Sequence, residues 1–84
     1  MKMNAYAIYD TAGLTFMRPF FTPSDAMALR AFKDVVSDAT HVIGKHPEDY
    51  SLHRLGTWCD QTGDFNNEIT EQIQTGLEMV ALGS

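Results

Sequence analysis

The run from His46 to Phe65 constrains this chain more than any other stretch. Pro47 disfavours the helical region for His46, so the run opens as a turn. A strand that carries Cys59 near its end follows. Asp60-Gln61-Thr62-Gly63 reads as a hairpin reversal with Gly63 in the left-handed position, and Phe65 begins the return. Leu52 and Leu55 lie an odd number of positions apart, so strict alternation cannot turn both toward one core. A bulge near His53 or Arg54, with Gly56 beside it, reconciles them.

The rest of the chain supplies what such a hairpin needs to bury one face. Asn4 to Asp10 alternates as a strand, with Tyr6 and Ile8 on one side and Ala5, Ala7 and Tyr9 on the other. Asp10-Thr11-Ala12-Gly13 predicts a turn, with Gly13 suited to positive φ. Leu14 to Phe20 returns as a second strand, which Pro19 ends or confines to an edge because it has no N–H to donate. Thr22-Pro23-Ser24-Asp25 predicts a helix start: Thr22 as cap, Pro23 at the first helical position, Asp25 closing a capping box. Met27 or Ala28, Leu29, Phe32, Val35, Val36 and Ala39 then recur at helical spacing, with Arg30, Lys33, Asp34 and Ser37 on the solvent side. Val42 and Ile43 read as a loop anchored in the core before Gly44. Beyond Phe65, the spacing of Ile69, Ile73, Leu77 and Val80 predicts an amphipathic helix. Gly76 either weakens its middle by about 1 kcal/mol or ends a shorter helix, leaving Leu77 to Leu82 as a tail.

These elements predict a single α+β domain over residues 1–84, with a core at about 4–66 and a C-terminal helix or tail at 67–84. The expected architecture is a four-stranded, largely antiparallel sheet in ββαββ order with one main helix packed on one face. A domain of 84 residues buries only about 60% of the surface its unfolded chain exposes. One cysteine permits no internal disulfide, so a homodimer is the expected way to bury more apolar area. The lone Cys59 suits a reducing cytoplasm. No apolar run is long enough to span a membrane, and the N-terminal Met1-Lys2-Met3-Asn4 leads into alternation, not a signal-peptide core.

The chemistry-bearing residues are sparse. His41, His46, His53 and Cys59 have neither helical i, i+4 nor C-x-x-C spacing, so no metal site is expected. Cys59 and His53 lack an orienting third group, and no Gly-rich phosphate loop occurs, so neither catalysis nor a cofactor is expected. Asp49, Asp60 and Asp64 sit at turns, where Asp bonds nearby backbone. Nucleic-acid binding has more to recommend it. One Trp, three Tyr and five Phe fall in a small chain, and aromatic residues on an exposed sheet face are how sheet modules stack single-stranded bases. Arg18, Lys45 and Arg54 could meet phosphates, with Trp58 as the stacking residue. The net charge of −5, from 6 Lys and Arg against 11 Asp and Glu, opposes a generic phosphate-binding surface.

The run Pro47-Glu48-Asp49-Tyr50, Leu52, Leu55-Gly56, Trp58, Asp60 and Thr62-Gly63 resembles the small nonstructural protein of gokushovirus-type single-stranded DNA bacteriophages (Microviridae). Ile8-Tyr9-Asp10, Pro19-Phe20 and Ala31-Phe32, Val35-Val36 and Asp38 are similar to that family in the same order. Trp58 stands where Phe is usual and Cys59 where an acid is common, and the similarity ends near Asn67. The resemblance implies an early phage protein that works in the host cytoplasm and is absent from the finished virion. It implies DNA binding linked to the switch from double-stranded replication to single-stranded genome synthesis and packaging. The expectation is single-stranded or replicating DNA held by Arg18, Lys45, Arg54 and Trp58. The alternative is an acidic adaptor for a host or phage replication or packaging protein, without direct nucleic-acid contact. Cations clustered on one face would favour the first, and dispersed cations the second.

Overall fold

The computed structural model describes residues 1–83, and of Ile69 and Gly83 the backbone alone. The elements in order are β1 (Lys2–Asp10), β2 (Thr15–Phe16), β3 (Phe20–Thr22), α1 (Asp25–Val36), α2 (Val42–Lys45), a 3₁₀ turn (Pro47–Asp49), β4 (Tyr50–Cys59), β5 (Phe65–Thr75) and α3 (Gly76–Gly83). The class is α+β with an antiparallel sheet. The sheet has five strands in the order β2-β1-β4-β5, with β3 beside β2 along the same edge of β1. The expected four strands and simple ββαββ order are corrected here. The second arm of the first hairpin splits: Thr15 and Phe16 pair with Asp10 and Tyr9, and Phe20 to Thr22 pair with Tyr6 to Asn4. Pro19, which has no N–H, lies in the gap.

β1 lies in the middle because its two faces alternate cleanly. Tyr6 and Ile8 face the helix and Ala5, Ala7 and Tyr9 the other side, as the alternation predicts. Its turn differs in one residue: Asp10 accepts from the N–H groups of Ala12 and Gly13, and Leu14, not Gly13, takes positive φ at 54°. The core is built from Tyr6, Ala28, Phe32, Val36, Ile43, Tyr50, Leu52 and Met79, so α1, α2 and α3 all contribute to one layer over the sheet. Phe32 is fully buried, which contributes about 1.5–3 kcal/mol relative to leaving it in water.

The helix start lies two residues later than predicted. Thr22 is still paired in β3, and its hydroxyl donates to the Ser24 carbonyl. Ser24 is the cap, its Oγ accepting from the Met27 N–H. Val42 and Ile43 lie in a short helix, capped by His41, whose Nδ1 accepts from the Ile43 N–H at 3.1 Å.

The largest correction concerns residues 67–75. They form most of β5, the long strand at the far edge, and helix begins only at Gly76. A spacing of four satisfies period 2 as well as period 3.6, so Ile69 and Ile73 could not discriminate between strand and helix. The side chain of Ile69 lies outside the described residues. α3 starts with a reciprocal cap: the Glu78 N–H donates to Thr75 Oγ1, and the Thr75 N–H donates to Glu78 Oε1. Gly76 is required by close approach, because a Cβ there would lie 2.0 Å from the Pro47 carbonyl oxygen.

Candidate nucleic-acid interface

The β4 bulge decides which side chains each face presents. Gly56 pairs with Ala5 and Arg54 with Tyr6, so Leu55 is the extra residue, one place beyond the predicted position. Above the bulge, even-numbered residues of β4 point toward the helices, and below it they point away. Arg54 and Trp58 therefore lie on opposite faces of the sheet. At Gly56 a Cβ would sit 2.1 Å from the Asn66 carbonyl oxygen, so only glycine lets β5 approach here.

On the helix side, Arg54 makes two ion pairs. Its Nη1 donates to Asp25 Oδ2 and its Nη2 to Glu71 Oε2, each at 2.5 Å. Tyr6 donates its hydroxyl to the other Asp25 oxygen and accepts from the Asn4 amide. The Tyr6 bond, then Arg54, holds the Asp25 carboxyl below its ordinary value. Burial, then the Asp25 bond, pushes the Tyr6 hydroxyl up. This chain of bonds fastens the start of α1 to the middle of β1 and the outer strand β5. It commits two of the five guanidinium N–H donors of Arg54 to the fold.

Among the described residues the opposite face carries no helix, and it presents two ring clusters. Tyr9, Phe16 and His53 meet edge to face, with centroids 4.8 Å (Tyr9–Phe16), 5.9 Å (Tyr9–His53) and 5.4 Å (Phe16–His53) apart. Phe21 lies 5.1 Å from Trp58 and 6.3 Å from Phe65. Ala5, Ala7 and Gly56 form a small-residue strip between the clusters on the two central strands. Phe16, Phe21 and Phe65 remain 39–43% exposed. Ser51 Oγ lies 2.8 Å from His53 Nε2, and burial holds the His53 imidazole below its ordinary value, which favours the uncharged ring.

The register positions of this face hold no Lys, Arg, Asp or Glu among the described residues. The charged side chains of paired positions, Lys2, Asp10, Arg54 and Glu71, are all on the helix side. The six cations are dispersed: Lys2 on β1, Arg18 in the loop between β2 and β3, Arg30 and Lys33 on α1, Lys45 closing α2, and Arg54 on β4. Of the four expected contact residues, Arg18 and Lys45 are exposed, Arg54 is held in its ion pairs, and only Trp58 lies on the ring-bearing face. Sequence reasoning missed Phe21, Phe65 and His53 as its companions. Their shared face follows from the strand registers, in which Phe21 pairs with Ala5, His53 with Ala7 and Phe65 with Trp58, and no local pattern in the sequence marks those pairings.

The thiol and imidazole groups do not converge on one centre. His53 is bonded to Ser51, and His41 caps α2. Cys59 ends β4 against the turn, where the Thr62 hydroxyl and neighbouring N–H groups lower its thiol. His46, Glu48 and Asp49 bring potential ligand atoms within 4.8 Å of one another at the 3₁₀ turn, with His46 and Glu48 exposed to solvent. No helix among the described residues is long and apolar enough to cross a membrane.

A family model described as Phage ORF5 protein matches residues 3–79, which includes the hairpin, both ring clusters and the start of α3. No curated protein and no solved structure matches the chain.

Proposed function

Because this chain belongs to the Phage ORF5 protein family, we propose that it is a nonstructural phage protein that binds single-stranded DNA by stacking bases on the open, ring-bearing face of its sheet. The observation that carries this is the pair of aromatic clusters on the sheet face away from the helices, in which Phe16, Phe21 and Phe65 keep accessible ring surface while Ala5 and Ala7 between them are buried. Each base stacked on an aromatic ring contributes about 1–3 kcal/mol. Two or three stacked bases therefore give weak binding, in the micromolar to millimolar range.

The charge distribution sets the character of that binding. Arg54 is held in its ion pairs and Lys45 closes α2 in the helix layer on the other side of the sheet, so of the expected cations Arg18 alone is left for phosphates on this face. Each phosphate contact on a single strand contributes about −0.7 to the slope of log K against log salt, so with Arg18 as the one such contact the slope is no steeper than about −0.7. Association is then governed by stacking and resists salt. In the cell, the protein acts in the host cytoplasm, in a gokushovirus-type life cycle, where holding exposed single strands favours genome synthesis and packaging over further duplex formation. A homodimer formed through the same face competes with DNA, so apparent affinity falls as protein concentration rises.

A second function is favoured by one observation: the face is free of charge and the cations are dispersed. An acidic adaptor that docks a host or phage protein there needs no phosphate contacts. Titration of labelled oligothymidylate at low salt, read by anisotropy and by Trp58 emission, separates the two. Saturable binding with quenching, weakened severalfold by Phe21→Ala, supports DNA. Absence of binding with protein raised to the millimolar range removes the DNA function and leaves the adaptor.

A further inference from the structure

On the other side of the sheet, a groove of about 300 Å³ runs between α1 and α3. Its apolar lining comes from Ala26, Leu29, Met79 and Leu82, and its α1 wall carries Arg30 and Lys33. Leu82 is 74% exposed, so the α3 wall ends in an uncovered large apolar side chain. Neither cation has an ion-pair partner among the described residues. No acid lines the groove. Asp25, at the start of α1, is held by Tyr6 and Arg54, and Glu78 of α3 is held in the Thr75 cap. In a chain with net charge −5, an apolar groove walled by two adjacent free cations is a local reversal of sign.

We propose that this groove docks an acidic amphipathic helix of a partner protein. Arg30 and Lys33 are one helical turn apart, so they match two carboxylates that are themselves one turn apart on a helical ligand. The apolar residues between the two helices receive its Leu- or Met-type anchors in the manner of helix-in-groove recognition. The charge pairing excludes a basic partner and the shape excludes an extended duplex. The groove and the ring-bearing face lie on opposite sides of the sheet, so one molecule holds the peptide and single-stranded DNA together. This inference does not depend on the DNA-binding proposal and survives its failure.

The test uses a fluorescein-labelled peptide of about four helical turns, with Leu on one stripe and Glu pairs one turn apart. A control peptide carries Lys in place of Glu. The full chain is titrated into each and anisotropy is read. The Glu peptide binds saturably, and the Lys peptide binds about fivefold or more weakly, as two exposed ion pairs allow. The double variant Arg30→Glu with Lys33→Glu reverses the preference, which a merely structural role cannot produce. Should that variant lose its circular dichroism signature, Arg30→Gln with Lys33→Gln serves in its place and abolishes the preference. Leu82→Asp weakens the Glu peptide. Equal binding of the two peptides, a preference unchanged in the charge variants, or no binding of the Glu peptide overturns the proposal. Phe21→Ala, on the opposite face, leaves peptide binding unchanged.

Discussion

Replacing Arg54 with Met tests whether this cation is a structural tie or a phosphate contact. Met keeps much of the aliphatic stem, so packing changes little, and the lost terms are the two charge-assisted bonds. The Glu71 side chain is 63% exposed, so that bond contributes about 0.5 kcal/mol. A bond to a charged partner contributes about 1.5–3 kcal/mol when shielded. The Asp25 side chain is 40% exposed and keeps its Tyr6 donor, which reduces that contribution to about 1 kcal/mol. The sum, about 1.5 kcal/mol, lowers the melting temperature of a domain this small by about 6–12 °C. Thermal melts followed by circular dichroism measure it. A double-mutant cycle with Glu71→Gln returns a coupling of about 0.5 kcal/mol. Oligothymidylate affinity, measured well below the melting range, stays within about twofold of wild type. An unchanged melting temperature together with a tenfold or greater loss of DNA affinity would refute the assignment of Arg54 to the fold.

Three further outcomes follow from the same geometry. Acid should destabilise the fold in two windows. His53 is held below its ordinary value by burial, so stability falls as pH drops below about 6.5 toward its folded-state value. Asp25 is held low by Tyr6 and then Arg54, so its contribution is complete above about pH 4 and is lost as pH falls through its folded-state value. In urea titrations across pH, His53→Gln removes the upper window and Tyr6→Phe shrinks the lower one; two unchanged profiles contradict these assignments. Gly76→Ala improves helix propensity by about 1 kcal/mol yet drives a Cβ into the Pro47 carbonyl, so the net change is a loss of about 2 kcal/mol, and a raised urea midpoint contradicts the close approach. Phe21→Ala removes the ring packed on Trp58, shifts Trp58 emission to the red and weakens oligothymidylate binding by about 1–3 kcal/mol, whereas an unchanged affinity contradicts stacking there.

Much of the frame was legible because it rests on local rules. The β1 faces follow from alternation, the Gly63 reversal from turn chemistry (φ 77°), and α1 from apolar periodicity. The bulge was legible in kind, because Leu52 and Leu55 demand one. Its position at Leu55 was not, and that single place decides which way Arg54 points. The pairing of β4 with β5 was hidden for a different reason. Residues 67–75 have polar and β-branched composition with a spacing that fits either period, and only the β4 edge beside them selects strand. The Thr75-Gly76-Leu77-Glu78 run carries the capping-box pattern, which marks where α3 begins and was readable without the structure. The ring-bearing face was the least legible feature, since it joins β1, β2, β3, β4 and β5 through registers that no local pattern reveals.

The central claim is that single-stranded DNA lies across the open face of the sheet. Amide chemical-shift mapping of the ¹⁵N-labelled protein during titration with oligothymidylate tests it most directly. The expected result is that shifts concentrate at Ala5, Ala7, Tyr9, His53, Gly56 and Trp58, with the Trp58 indole signal moving most and α1 unmoved. Shifts confined to Arg30, Lys33 and the other residues of α1, or no shifts at all, would contradict it.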